Sequence, residues 1–549
     1  YSTELNIQVL IAMLKEYGIK KVIASPGTSN ISFIGSIQYD DYFEIYSCVD
    51  ERSAAYMACG MAEESGEPVV LSCTGATASR NYMPGLTEAY YKKLPVIAVT
   101  SSQNHWRIGR LHPQVTDRMH IPTDIAVAQV DLRAIRDDDD FRGAQIELNE
   151  ALLAMGSNGG GPVHINLEER FNPTFTAKCL PKVHRIRKYM AWDDLPDIPS
   201  KEVAIVIGSH AYMSQKLVQL IDEFCEKYNG IVICDHTSGY HGNYKIGYSI
   251  IGSQYSNVKE APELVIRVGE ISGDYYSLNL NVSCLWRVSE DGKITDVYRR
   301  MPDVFEMPFE VFLSKYNSKR EYRKNTEFFT RCLERENVLR NRMPELPFST
   351  LYVAKKVSEQ ISENVYLQLG ILNVLRCFNF FRLPQKIKST ANVGGFGIDG
   401  ASSTIIGASL TCPDKLHYLI TGDLGFFYDL NAIGNREIGK NLRILVINNG
   451  CGMEMKLSKN IGYQFGEDGD RFFAASHHYA NMSRDFIKDM AKNLGFKYLS
   501  ADNKNDFCNC LDEFLDITEK EYPMIFEVFT DDKDEKKALD IATSLTVYS

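Results

Sequence analysis

Two polar positions near the carboxyl end of the chain have the types and spacing of ligands for a metal ion and phosphate. Asp423 follows the apolar segment 416–421, and Asn449 follows a second apolar segment, 443–447. The intervening run 428–438 is predicted to be a helix, so the whole stretch is predicted to form a βαβ unit. Parallel strands end at the same edge of a sheet, so Asp423 and Asn449 should converge there. A carboxylate and an amide oxygen are hard ligands, suited to Mg²⁺ or Ca²⁺ that also binds phosphate.

The residues after Asp423 fit the same interpretation. The main-chain amides of Leu424 and Gly425 lie at a predicted helix start, where they are placed to receive a diphosphate. An ordinary βαβ unit with turn residues at its strand ends is the alternative.

Length and composition restrict the class of protein. With 549 residues the chain should form about three domains. A net charge of −11 argues against a general nucleic-acid binder or an anionic-membrane binder. The 13 cysteines form no CxxC pair and no metal-binding spacing, which favours a reducing compartment. The printed sequence shows no signal-peptide pattern and no apolar run of transmembrane length, so we expect a cytoplasmic protein.

The order of strands and helices predicts three α/β domains with doubly wound parallel sheets. Their predicted limits are 1–180, 190–335 and 345–549. The third domain repeats the helix, strand and turn pattern of the first. The middle domain contains no GxGxxG fingerprint after its first strand, so dinucleotide binding there is not expected.

Five separate motifs show a family resemblance. They are VDERSA at 49–54, CTGATA at 73–78, TEAYY at 87–91, GIDG at 397–400, and GDL at 422–424 with YDLNA at 428–432. The chain resembles thiamine-diphosphate (ThDP) enzymes of the pyruvate-decarboxylase superfamily. Within it, the chain is most similar to the menaquinone-pathway family that makes 2-succinyl-5-enolpyruvyl-6-hydroxy-3-cyclohexene-1-carboxylate (SEPHCHC). The resemblance implies a pyrimidine-binding, a central and a diphosphate-binding domain, in that order.

The resemblance also implies ThDP with Mg²⁺ or Ca²⁺, in a homodimer or dimer of dimers. The site would lie between the first domain of one subunit and the third domain of its partner. The implied metal ligands are Asp423, Asn449 and the main chain of Cys451. The implied cofactor contacts are Pro26, Gly27, Glu51, Thr74, Asn81, Phe396, Ile398, Gly422, Asp423, Leu424, Gly425 and Asn449.

Two residues are expected to shape the bound cofactor. Ile398 maps onto the apolar wedge that bends the cofactor. The carbonyl of Phe396 and the amide of Ile398 would hold the aminopyrimidine edge.

Glu51 is the first candidate catalytic residue. It lies at a strand end before an apolar helix, where an aromatic cofactor would disfavour its charged form and raise its pKa. It could then exchange a proton with the pyrimidine ring and promote loss of the thiazolium C2 proton. The alternative is that Asp50-Glu51 serves only as a helix N-cap and first-turn acid.

The other candidates belong to the substrate pocket. Gln114 aligns with a glutamine that positions protons in the similar family, and His112 could serve instead. Both lie in the loop 103–117, after a strand end, and a surface-loop role is the alternative for each. Arg376 is expected to bind the donor carboxylate or a charged acceptor. His477-His478 lies in a segment that often covers such sites.

The predicted substrate pocket departs from the similar family. That family binds two polycarboxylate substrates with several arginines, whose places here are taken by Ser29, Gln103 and Val393. Leu372 replaces a serine of the same pocket. Each lost charge-assisted contact would have contributed roughly 1.5–3 kcal/mol, so menaquinone synthesis is not the preferred function.

The sequence therefore predicts a ThDP- and Mg²⁺-dependent decarboxylase or carboligase, acting on a small 2-oxo acid donor and possibly a carbonyl acceptor. SEPHCHC synthesis, 2-hydroxyacyl-CoA cleavage and a non-catalytic regulatory subunit of the same fold remain alternatives. No nucleic-acid or membrane partner is expected.

Overall fold

The computed structural model describes residues 1–169, 173–199, 201–254, 261–519 and 521–546. The chain divides into two compact units, Tyr1–Lys188 with Ile294–Val304, and Tyr189–Lys293 with Phe305–Ser549. Within the described residues, no helix combines the length and the apolar character needed to cross a membrane. The limits of the three predicted domains stay a prediction.

The first unit is built on a six-stranded parallel sheet in the order β2-β1-β3-β4-β6-β5. Its strands are β1 (Lys21–Ala24), β2 (Glu44–Ser47), β3 (Val69–Cys73), β4 (Val96–Ser102), β5 (Ala128–Leu132) and β6 (Val163–Glu168). Its helices are α1 (Leu5–Glu16), α2 (Ile31–Ile37), α3 (Glu51–Ser65), α4 (Ala76–Asn81), α5 (Met83–Lys92) and α6 (Asp138–Ala154). Strands β3 and β6 are buried along their whole length, as expected for parallel strands covered on both faces.

A second sheet has seven strands in the order β10-β9-β8-β11-β12-β13-β7, and β8 to β12 pair in parallel. Its strands are β7 (Lys188–Met190), β8 (Val203–Ile207), β9 (Gly230–Cys234), β10 (Lys245–Ile246), β11 (Leu264–Val268), β12 (Cys284–Ser289) and β13 (Asp303–Glu306). The helices of this part are α7 (Gln215–Tyr228), α8 (Tyr248–Gly252), α9 (Phe309–Lys319) and α10 (Glu327–Arg342).

The third sheet is parallel, with six strands in the order β15-β14-β16-β17-β19-β18. Its strands are β14 (Tyr366–Leu369), β15 (Lys388–Ala391), β16 (His417–Gly422), β17 (Leu442–Asn448), β18 (Lys497–Ala501) and β19 (Met524–Phe529). Its helices are α11 (Thr350–Gln360), α12 (Asn373–Phe378), α13 (Ala401–Thr411), α14 (Asp423–Tyr428), α15 (Leu430–Ile433), α16 (Tyr479–Met482), α17 (Phe486–Asn493), α18 (Lys504–Leu515) and α19 (Asp532–Thr543).

The first and third sheets share one topology. Each begins near its middle, adds one strand on one side and then continues on the other, so the strand order reverses between β1 and β3 and between β14 and β16. Ligands of doubly wound sheets bind at the carboxyl ends of the strands beside such a reversal. The predicted fold class, three doubly wound parallel-sheet α/β domains, is confirmed.

The helix predicted at 428–438 is wrong in its limits. Helix α14 begins at Asp423, directly after β16, and a shorter helix ends at Ile433. The break falls at Asp429, whose carboxylate accepts hydrogen bonds from the main-chain N–H and the hydroxyl of Ser403, both at 2.6 Å. The Asp429 side chain is thus bound to Ser403 of α13, and this contact coincides with the end of the regular helical hydrogen bonds of α14.

Candidate active site

The predicted convergence of Asp423 and the segment after β17 is present. Strands β16 and β17 pair in parallel with Gly422 opposite Ile447, so both chains leave the sheet at the same edge. The Asp423 carboxylate accepts hydrogen bonds from the main-chain N–H of Leu424 at 2.9 Å and of Gly450 at 3.0 Å. Asp423 is therefore tied to the turn that carries Asn449.

This turn has a compact form that requires a glycine. Gly450 has a φ of +74°, a conformation that favours glycine. The Asn449 side-chain oxygen accepts a hydrogen bond from the main-chain N–H of Cys451 at 3.3 Å. Burial raises the pKa of the Cys451 thiol to about 12, so the sulfur stays protonated at neutral pH. Only the main-chain carbonyl of Cys451 fits the predicted metal ligand.

The electrostatics around Asp423 suit a cation. Its side chain is only 2% exposed, and burial raises the pKa of its carboxyl to about 7, although main-chain N–H donors and Asn481 oppose that shift. The Asn481 side chain is 4% exposed, lies beside the Asp423 carboxylate and has no other hydrogen-bond partner among the described residues. These two buried polar side chains have fewer partners than buried polar groups normally have. Bound Mg²⁺ or Ca²⁺ with a diphosphate would supply them.

The described residues contain no cluster of three or more His, Cys, Asp or Glu side chains suited to a metal ion. The predicted ligand set contains one such side chain, Asp423, and takes its other oxygens from an amide and the main chain. It would leave much of the coordination shell of the cation to phosphate and water, as is usual for Mg²⁺.

The other predicted cofactor residues of this unit lie around the start of α14. A Cβ at Gly425 would come within 3.1 Å of the Ile398 carbonyl oxygen, so the main chain of Ile398 packs closely on this helix. Phe396, two residues earlier, has a φ of +56°, which is rare outside glycine and is often found at functional sites. The Leu424 side chain faces Gly452, 3.3 Å from where a Cβ would lie.

In the first unit, the segments after β1 and β3 are in direct contact. A Cβ at Gly27 would overlap the methyl group of Thr74, so only glycine allows this approach. Pro26 and Gly27 are exposed, and Asn81, at the end of α4, is exposed as well. A cavity of about 300 Å³ is lined in part by Pro26 and Gly27.

Glu51 begins helix α3, directly after Asp50, whose carboxylate caps the helix by accepting the main-chain N–H of Ser53 at 2.7 Å. The capping role therefore belongs to Asp50, which leaves the side chain of Glu51 available for another function. The Glu51 side chain is half-buried and lies near Cys73 and Tyr82. Its negative charge adds to the effect of burial in raising the pKa of both groups.

The main chain of Gln114 approaches the predicted cofactor residues. Its carbonyl oxygen would lie 3.3 Å from a Cβ at Gly75, the residue after Thr74. Gln114 has a φ of +61°, and its side chain is exposed. His112 is half-buried and packs edge-on against Trp106, with ring centroids 5.2 Å apart.

Sequence reasoning missed three groups near these residues. The side chains of Ser25 and Tyr82 are buried, and their hydroxyl groups lie close to each other. Asn481 was missed because nothing in its local sequence marks it as a partner of Asp423. Only its place just after His477-His478, in the segment expected to cover the site, gave a signal.

Three residues that are expected to differ from the substrate pocket of the similar family can be located in the structure. Val393 is buried and, like Leu375, lies against Gly273. Leu372, directly before α12, has a φ of +67° and a ψ of −118°. The Gln103 side chain accepts a hydrogen bond from Arg107 Nη1 at 2.6 Å. The guanidinium of Arg107 therefore lies beside the position where an arginine of the similar family is expected to be missing.

Arg376 and His477 differ in their surroundings. Arg376 is buried and forms an ion pair with Glu454, with Nη1 2.7 Å from Oε2. His477 is exposed, with Nε2 3.5 Å from Asp470 Oδ2 and a φ of +65°. Arg376 is thus held in place, whereas His477 lies at the surface.

The fold and this arrangement define a thiamine-diphosphate enzyme. Residues 7–121 match the family model of the thiamine pyrophosphate enzyme, N-terminal TPP binding domain. The match covers the part of the first unit that contains Gly27, Glu51, Thr74 and Gln114.

Curated relatives give the family. The chain is 30% identical to the SEPHCHC synthase of Phocaeicola vulgatus, over 97% of this chain and 96% of the relative. It is also 30% identical to the SEPHCHC synthase of Bacteroides fragilis, over 98% of each chain, and 26% identical to that of Flavobacterium johnsoniae, over 95% of each. The chain belongs to the SEPHCHC synthase family of ThDP enzymes. This membership confirms the predicted resemblance and the prediction of an enzyme, so a non-catalytic role is set aside.

Proposed function

We propose that the chain is a ThDP- and divalent-metal-dependent decarboxylase or carboligase that uses a 2-oxo acid donor. The proposal rests above all on Asp423, a buried carboxylate tied to the turn that carries Asn449 and placed beside the buried amide of Asn481. ThDP, when bound, supplies the thiazolium carbon that adds to a carbonyl and accepts electrons from the adjacent C–C bond.

The third sheet would hold the charged end of the cofactor. Asp423, the Asn449 side-chain oxygen and the Cys451 carbonyl would bind Mg²⁺ or Ca²⁺. The main-chain amides at the start of α14, from Leu424 and Gly425, would bind the diphosphate. Phe396 and Ile398 would hold the aminopyrimidine edge with a carbonyl and an amide.

Glu51 would act on protons. Its carboxyl group would donate a proton to the aminopyrimidine ring and accept it again, as a general acid and base. Gln114, with His112 as the alternative, would orient the substrate by hydrogen bonds. Both residues lie in the loop after β4, and the main chain of Gln114 in this loop approaches Gly75, next to the proposed cofactor contact Thr74.

The proposed donor is small and less anionic than 2-oxoglutarate, with pyruvate as the first choice. Ser29, Gln103 and Val393 replace carboxylate-binding arginines. Leu372 and Val393 would provide apolar contact instead. Decarboxylation alone, ligation to a carbonyl acceptor and 2-hydroxyacyl-CoA cleavage are outcomes that a substrate screen separates.

SEPHCHC synthesis is the second candidate. Two observations favour it: Arg107 brings a guanidinium to the side chain of Gln103 at 2.6 Å, and relatives of that printed name match nearly the whole chain at 30% identity.

The deciding experiment follows consumption of pyruvate and of 2-oxoglutarate side by side, each with and without isochorismate, at saturating ThDP and Mg²⁺. We expect turnover of pyruvate and little or none of 2-oxoglutarate. Efficient consumption of 2-oxoglutarate only when isochorismate is present would overturn the main proposal in favour of the second. Light scattering on the same protein would test the expected homodimer or dimer of dimers.

A further inference from the structure

Arg376 is bound by a carboxylate of its own chain. Arg376 lies in α12, and Glu454 lies in the short 3-10 turn Met453–Lys456, directly after the turn of the proposed metal ligands. Arg376 Nη2 donates a hydrogen bond to Glu454 Oε1 at 2.9 Å, and Nη1 lies 2.7 Å from Oε2. Glu454 thus holds Arg376 by one hydrogen bond and one close ion-pair contact, on the face of the guanidinium that could otherwise bind a substrate carboxylate.

The pair is shielded from water. The side chains of Arg376 and Glu454 are 9% and 20% exposed. Burial works to lower the pKa of Arg376, but the hydrogen bond and the charge of Glu454 outweigh it, so the pKa is raised. The ion pair therefore favours the charged guanidinium and keeps it occupied.

Tyr275 connects the pair to a proposed cofactor contact. The Arg376 guanidinium lies over the Tyr275 ring, 5.0 Å from its centroid. The same ring meets Phe396 edge-on, with centroids 6.0 Å apart. A cavity of about 230 Å³ is lined by Tyr275, Arg376, Glu454 and their neighbours.

This arrangement opposes binding of a second substrate carboxylate. A dicarboxylate whose distal group bound Arg376 would have to displace Glu454. The displaced carboxylate would then remain in a confined site without its cation, and a buried charge left without its partner is strongly unfavourable. The Glu454 charge would also repel the incoming group. A donor with a neutral distal end avoids both penalties.

We propose that Glu454 is a specificity-determining residue, which occupies the carboxylate-binding face of Arg376 and thereby excludes dicarboxylate donors in favour of monocarboxylate 2-oxo acids. This inference rests on the proposed function, because it concerns the donor pocket of that site. It assigns the preference to an acid in the 3-10 turn after β17, independently of the arginines that are expected to be missing elsewhere.

The test uses the full chain loaded with ThDP and Mg²⁺, with succinate as a non-reacting dicarboxylate probe measured by calorimetry. Glu454→Gln removes the charge and keeps the shape of the side chain, and Glu454→Ala removes both. Asp540→Asn is the matched control, because exposed Asp540 lines the same cavity without pairing with Arg376. The double variant Glu454→Gln/Arg376→Gln removes the freed guanidinium.

We expect Glu454→Gln to bind succinate roughly tenfold or more tightly than the unmodified protein, the change expected from one charge-assisted contact. Asp540→Asn and the double variant should show no such gain. In turnover, the ratio of kcat/KM for 2-oxoglutarate to that for pyruvate should rise mainly through KM. If Glu454→Ala fails to fold, Glu454→Gln still decides the test.

Unchanged succinate affinity in folded Glu454→Gln would overturn the inference, as would an equal gain in Asp540→Asn. The two proposals fail separately. Pyruvate turnover without a gain in succinate binding would refute only the role of Glu454. A gain in succinate binding without turnover of any 2-oxo acid would refute only the proposed function.

Discussion

Replacing Asp423 by alanine should abolish tight binding of ThDP and leave the fold intact. The change removes the single formal negative charge among the three proposed metal ligands. A charge-assisted contact is worth about 1.5–3 kcal/mol, so the Kd for ThDP in the presence of Mg²⁺ should rise by about 10- to 150-fold. The loss should nearly vanish without a divalent ion, because the carboxylate acts on the diphosphate through the metal.

The cost to the fold should be limited. Alanine leaves the N–H groups of Leu424 and Gly450 without their acceptor, and both residues are only half-buried, so water can replace the carboxylate. We expect the unfolding free energy of the cofactor-free protein to change by no more than about 2 kcal/mol. Asp423→Asn keeps an acceptor oxygen and should stay closer still to the unmodified stability.

Calorimetric titration with ThDP, with and without Mg²⁺, measures the effect. Asp429→Ala is the matched control: Asp429 follows the same helix and accepts two hydrogen bonds from Ser403, but it is not a proposed ligand. Its ThDP affinity should match that of the unmodified protein. Unchanged affinity in Asp423→Ala would refute the proposed metal site.

Three further predictions concern single carboxyl groups. Glu51→Gln should bind ThDP normally but lose turnover and rapid deuterium exchange at the thiazolium C2, measured by NMR; normal turnover at saturating ThDP would contradict its role. Glu336 is fully buried and accepts hydrogen bonds at 2.8 Å from both Arg340 and Arg382. Burial opposes ionisation of Glu336, but the arginines prevail and lower its pKa from 4.5 to about 2. Chemical denaturation should therefore show Glu336→Gln destabilised by about 3–5 kcal/mol at pH 7, with the difference shrinking as the pH falls from 4.5 towards 2. Burial raises the pKa of Glu169 from 4.5 to about 8. The folded state thus keeps a proton that the unfolded state loses, and the unfolding free energy should fall as the pH rises from 4.5 to 8, a slope that Glu169→Gln should reduce.

The sequence was sufficient to predict the fold class and to predict which residues at the ends of parallel strands lie close together. The chain leaves each parallel strand at the same edge, so local patterns alone bring Asp423 to the turn of Asn449 and Gly27 to Thr74. These approaches depend on topology, and topology follows from the order of strands and helices.

Side-chain pairs between distant segments could not be predicted in this way. Arg376 and Glu454 are 78 residues apart, and their pairing depends on how α12 and the turn after β17 pack. The same holds for Asn481 beside Asp423. The expectation that basic residues are missing at Ser29, Gln103 and Val393 stays a prediction. It compared single positions and so overlooked Arg107, which reaches the Gln103 side chain from four residues further along the chain.

The backbone of Leu372 has a consequence for how this pocket can change. With φ at +67° and ψ at −118°, Leu372 occupies a conformation that suits glycine and costs a leucine about 1–3 kcal/mol. Neighbouring hydrogen bonds hold it there, including those from Arg376 N–H to the Leu372 carbonyl at 2.9 Å and from Leu375 N–H to the Gly370 carbonyl at 3.0 Å. Most mutations that alter a binding pocket reduce stability and so limit how many can accumulate. At Leu372, replacement by glycine would instead relieve strain, so changes selected for new substrates could begin at this position with a gain in backbone stability that offsets the cost of later changes.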